Sequence, residues 1–224
     1  MQARGENIAY RVTRFIALTL LFALLYYTGS ALYQTANGLT SVKPFCGVAL
    51  AILLINGRRW LWPVLVSGTL GAILAKLVFG NTAIETISIP IITTASLYLV
   101  YSLCQNRIGQ AIDFRAWKQL VRFIAIAAIV SMASSIPYGL EERFWNGNRL
   151  WENLQAWFIP TTLSYVIFTP VIVLLATAEK GVFRNNWRRH VAAQSILLLA
   201  IVANFIPSGV PLLFMIPLAL LVVT

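Results

Sequence analysis

Charge is what this sequence has least of. Only 11% of its 224 residues are Asp, Glu, Lys or Arg, against 59% hydrophobic, where a soluble domain carries roughly 25% and 45–50%. That deficit excludes an ordinary water-soluble fold. Acidic residues are the scarcer half, and seven Asp and Glu leave few candidates for acid–base chemistry. The single histidine, His190, has no companion with which to hold a metal. Two cysteines, Cys46 and Cys104, lie in or at the end of apolar runs with no Cys-x-x-Cys spacing, which fits packing residues better than a redox pair. The chain also lacks a Gly-x-x-x-x-Gly-Lys phosphate loop, a His-Glu-x-x-His helix and a nucleophile elbow. No catalytic residue, metal ligand or cofactor site is expected, and an enzyme acting on lipid would lack its nucleophile and paired carboxylates.

What the chain does have is long apolar runs, at residues 15–32, 45–55, 60–79, 84–103, 120–136, 154–177 and 191–206, with another starting near 210. A hydrocarbon core about 30 Å thick takes roughly 20 helical residues to cross, so the pattern predicts an all-α transmembrane bundle of about eight spans. The eighth is expected to be cut short at Thr224. The first run could be a secretory signal, but its length and the tyrosines at its far end, Tyr26, Tyr27 and Tyr33, fit an uncleaved helix better. The second run is short enough for a re-entrant segment, but that would place Arg58 and Arg59 on the outer side, so full crossing is the simpler expectation. Residues 137–153 are expected to form the longest outer loop, held against the headgroups by Trp145 and Trp151.

The formal charge of +10 would suit nucleic acid if it lay on one face, but the basic residues fall in clusters between apolar runs, so no nucleic-acid partner is expected. If the N-terminus is inside and every run crosses, cytoplasmic segments hold Arg4, Arg11 and Arg14, then Arg58 and Arg59, then Arg107, Arg115, Lys118 and Arg122, then Lys180, Arg184, Arg188 and Arg189. The outer loops keep only Lys43, Arg143 and Arg149, beside Glu85, Glu141, Glu142 and Glu152. This is the positive-inside distribution of a multi-pass membrane protein with a short cytoplasmic segment at 1–14.

Lys76 is the one ionisable residue well inside a run. Its side chain can snorkel outward, or it can join Lys43 to line a site for a small anionic ligand, with Glu85 as counter-ion. Pro90, Pro160 and Pro170 interrupt helices, and the hydroxyls of Thr161, Thr162, Ser164, Tyr165 and Thr169 are placed to bond either freed carbonyls or a ligand. Gly68, Gly71, Ala72 and Ala75 share a helix face suited to close packing.

The stretch Pro44-Phe45-Cys46-Gly47, the turn Gly57-Arg58-Arg59, then Trp62-Pro63 and Leu70-Gly71-Ala72, and later Phe168-Thr169-Pro170, resemble the first class of the membrane-associated sensor domain family. Members are integral-membrane input domains of bacterial signalling proteins. The chain departs from the family pattern at Lys43, where an aromatic is usual, at Lys76, where Asn is usual, and at Thr161 and Ser164, where an acid and a Gly are expected. The resemblance implies that residues 1–224 form one sensor domain. It implies a cytoplasmic output module beyond this chain, such as a diguanylate cyclase or histidine kinase, and membrane lipids and a second copy as partners. The alternative is a small transporter or substrate-binding membrane subunit, motivated by Lys76 and the proline-broken runs.

Overall fold

The computed structural model describes residues 8–35, 43–80, 82–109, 112–114, 116–147 and 149–177. Within them the chain is helical, with no strand: α1 Ile8–Thr35, α2 Pro44–Asn56, α3 Leu61–Val78, α4 Ala83–Arg107, α5 Trp117–Asn146 and α6 Leu150–Thr177. All but α2 are long and apolar enough to cross a membrane. The runs expected at 191–206 and from 210, and His190, lie outside the described residues, so a count of about eight spans is not established.

Local chemistry sets the helix ends. Pro44 occupies the first turn of α2, where its missing N–H costs nothing. Gly57 closes that helix at φ 74°, ψ −167°, a conformation essentially reserved for glycine, and sends the chain into a 3-10 turn at Arg58–Trp60 and on to α3. Thr82 caps α4 by accepting the Glu85 N–H, and the Glu85 carboxylate in that first turn complements the helix dipole.

α5 corrects the sequence-based expectation at residues 137–153. The helix continues through Pro137 to Asn146, and α6 begins at Leu150, so only three residues separate them. A proline removes one backbone bond, which neighbouring packing offsets: Tyr138 stacks on Trp157, with ring centroids 4.5 Å apart. Glu141, beyond the proline, accepts a hydrogen bond from Ser88 of α4.

Contacts fix which helix ends lie together. Arg14 of α1 stacks over Trp60 at 4.2 Å, and Tyr27 of α1 stacks on Phe79 just past α3 at 4.8 Å, so α1 and α3 run parallel. The Ser88–Glu141 bond joins the start of α4 to the end of α5. Arg11, Arg14, Arg58, Arg59, Arg107, Lys118 and Arg122 therefore share one end of the bundle. Lys43, Lys76, Arg143 and Arg149 lie towards the other, with Glu85, Glu141, Glu142 and Glu152.

α2 is the centre of the bundle, with Phe45, Cys46, Gly47, Ala49, Leu50, Ala51 and Leu53 all buried. It packs against α6 above all, then α1, α4 and α3. α1 packs on α3, where a side chain on Gly71 would meet the Ala23 nitrogen and the Thr19 oxygen at 2.8 Å. The outward faces stay apolar, with Ile16, Leu20, Leu74, Ile91 and Ile129 exposed, as lipid contact requires. Trp62 and Trp117 are exposed towards the arginine-rich end, and Trp145 and Trp151 at the opposite one, the places interfacial tryptophans take.

Candidate functional site

α2 has only 13 residues, roughly 20 Å of helix, and cannot reach both ends of a bundle whose other members are longer. Its N-terminus is bonded through the Lys43 carbonyl to Ser164, about four turns inside the start of α6, and the Lys43 side chain reaches back to Tyr138 and Trp157. Beside it lies a cavity of about 350 Å³, the size of a small-molecule pocket. All six helices, or residues flanking them, contribute to its wall: Tyr26 and Ser30 from α1, Lys43 and Phe45 from α2, Lys76 and Phe79 from α3, Glu85 and Ile89 from α4, Tyr138 and Glu142 from α5, and Trp157 and Pro160 from α6.

Within this cavity the two lysines have different surroundings. Lys43 is half-buried, and its ammonium rests over the Trp157 ring, 3.4 Å from the centroid and 5.6 Å from that of Tyr138. Trp157 is itself fixed, because its indole N–H donates to Ser134 Oγ at 3.0 Å. Desolvation brings the Lys43 pKa down to about 7, a fall that Cys46 opposes and the charge of Lys76 reinforces. Lys76 faces the cavity and lies in the field of Glu85, Glu142 and Glu141.

Lys43, Lys76 and Glu85 thus meet in one cavity, and two of them are positions where the chain departs from the pattern it resembles. Thr161, Ser164 and Tyr165 do not line it. Ser164 Oγ instead donates to the Lys43 carbonyl and accepts the Gly47 N–H at 2.9 Å. Thr169 Oγ1 donates to the Gly47 carbonyl at 3.0 Å. Tyr165 hydroxyl lies 3.3 Å from Ser96 Oγ. Thr161 Oγ1 is buried with no hydrogen-bond partner among the described residues. Ser164 and Thr169 therefore bracket Gly47, whose lack of a side chain brings α2 against the α6 backbone: a Cβ there would sit 2.2 Å from the Ser164 carbonyl oxygen and 2.6 Å from Phe168 Cβ.

The remaining motif residues serve the turn and the helix contacts. Arg58 and Arg59 form the 3-10 turn after Gly57, Pro63 lies in the first turn of α3, Gly71 contacts α1, and Pro170 is buried in α6. Tyr138, Trp157, Phe45 and Glu142 are wall residues that sequence reasoning missed. Their signal was position alone, since each lies within a few turns of the end of an apolar run.

A family model described as MASE1 matches residues 14–224. The chain belongs to the MASE1 family. MASE1 domains are membrane sensory input domains rather than catalytic ones, and the apolar helical bundle fits that role. No curated protein and no solved structure matches the chain. The comparisons lend no support to the transporter alternative. Among the described residues no group of three or more His, Cys, Asp or Glu is placed to hold a metal ion.

Proposed function

We propose that this MASE1 domain lies in a bacterial cytoplasmic membrane with its arginine-rich end inside, receives its stimulus at the cavity on the other side, and passes it to a C-terminal signalling module. A module such as a diguanylate cyclase or histidine kinase fits the family. The observation that carries this reading is the separation of the two ends. Seven described cations mark one, and a cavity lined by Lys and Glu side chains lies towards the other. Lys and Arg are retained on the cytoplasmic side, so the cavity belongs to the outer half.

The α2–α6 contact supports a route between the ends. The carbonyl of Lys43, a cavity residue, is bonded to Ser164 in the middle of α6, and α6 runs on to Thr177 at the arginine-rich end. A ligand that prefers one placement of Lys43 then biases the α2–α6 pair, which is all that coupling requires. A small anionic ligand, lipid contacts and a homodimer that carries the movement to paired output modules complete the proposal.

The test is single-cysteine labelling in intact bacterial cells, made practical because Cys46 and Cys104 are both buried. A membrane-impermeant maleimide is expected to reach Arg149→Cys from outside and Arg59→Cys only after permeabilisation. The reverse pattern would defeat the proposed orientation and the signalling direction with it.

A further inference from the structure

The cavity contains two lysines, held in different ways. Lys76 lies in the field of Glu85, Glu142 and Glu141. The ionisable groups that act most on Lys43 are Cys46 and Lys76, and Glu85 and Glu142 share its cavity. What holds the Lys43 ammonium is the face of Trp157 at 3.4 Å, with Tyr138 beyond. A cation held by rings rather than by an anion keeps its N–H donors available, and an enclosed ammonium gains from an anionic partner.

Part of the wall is apolar. Leu25, Tyr26, Phe45 and Phe79 form it, with Tyr26 and Phe45 tilted at 59° and 6.1 Å apart. Tilted rings accept another ring edge-on or offset, the geometry aromatic pairs prefer. A second negative charge would have to compete with three carboxylates for Lys76.

We infer that the cavity binds a small organic monoanion with a ring-sized apolar body, its carboxylate on the Lys43 ammonium and its body against Tyr26, Phe45 and Phe79. This rests on the sensory reading above and names the chemistry of what is sensed. Lys43 supplies the charge recognition and the aromatic wall the shape. Lys76 serves the cavity's own electrostatics.

The experiment uses the full chain in lipid nanodiscs and titrates four probes by calorimetry. Phenylacetate has both charge and ring, phenylacetamide has the ring alone, acetate the charge alone, and octanoate the charge on a flexible chain. Phenylacetate is expected to bind at least about tenfold more tightly than each of the others. Lys43→Gln is expected to weaken phenylacetate by about tenfold or more, while Lys43→Arg stays within about threefold. Lys43→Arg keeps the charge and shows that loss in Lys43→Gln is not misfolding. Equal binding of phenylacetamide, tighter binding of octanoate, unchanged binding in Lys43→Gln, or no binding to the folded wild-type chain would each overturn the inference. Cysteine labelling is independent of ligand, so failure here with the expected labelling defeats the ligand chemistry alone.

Discussion

Gly47 sits where α2 and α6 touch backbone to backbone, and both of its peptide groups are engaged by α6 hydroxyls. Gly47→Val would drive atoms into the Ser164 carbonyl and Phe168, so it is expected to destabilise the fold by about 1–3 kcal/mol or more. Reversible unfolding in mixed micelles measures it. Gly68→Ala, whose new Cβ would meet only the tip of the Phe45 ring at 2.9 Å, is the milder comparison. Lys43 yields a pH dependence. Its ammonium, with a pKa lowered to about 7 by desolvation, must be charged to hold an anion, so phenylacetate affinity is expected to be full below that value. It should then fall by roughly tenfold per pH unit above it, until the raised pKa of the complex is reached. The other titratable groups near it are Tyr26 on α1, Cys46 on α2, Lys76 on α3, Glu85 on α4, and Tyr138 and Glu142 on α5. Lys43→Arg, whose guanidinium stays protonated, should flatten the profile and so isolate the contribution of Lys43. At this scale the sequence was half legible. A lysine in or beside an apolar run stands out against the cost of burying charge, which marked Lys43 and Lys76. An aromatic near a run's end reads as an interface anchor whether it faces lipid or a cavity, which hid Trp157 and Tyr138. Ser164 and Tyr165 were noticed as hydroxyls, but their partners lie on α2 and α4, far away in sequence.

Helices were the most legible elements, because an apolar run near membrane length leaves the backbone no other way to satisfy its polar groups. α5 was the exception. Pro137 followed by Glu141, Glu142 and Arg143 has the composition of a loop, yet those charges lie beyond the apolar layer, where a helix can carry them. Spin labels placed one at a time from 138 to 146 are expected to show a 3.6-residue period in oxygen accessibility. Leu140 and Phe144 should be accessible and Gly139 protected. A flat profile would mean an extended segment. The short second run likewise has its explanation in packing, since a helix surrounded by neighbours need not match the bilayer itself.

The whole molecule is banded. Exposed tryptophans mark both ends, and Trp117 and Trp145 near the tips of the 30-residue α5 are separated by roughly 42 Å at 1.5 Å per residue. This matches the 40–45 Å thickness of a bilayer with its headgroup layers included. Brominated lipids are therefore expected to quench the exposed tryptophans most when the bromine lies near the headgroups, while buried Trp157 contributes an unquenched remainder, visible as the loss in Trp157→Phe. Strong quenching by bromine at the chain ends would contradict the banding. This scale was legible from charge and hydropathy order alone, whereas the cavity was not, because it depends on how far inside the bundle α2 begins. The two hydroxyls that grip Gly47 have a mechanical consequence. α2 cannot slide along α6 without breaking several hydrogen bonds together in a place water does not reach, so the two helices move as one stiff member. A pull at Lys43 is therefore passed on to α6 rather than taken up between the two helices.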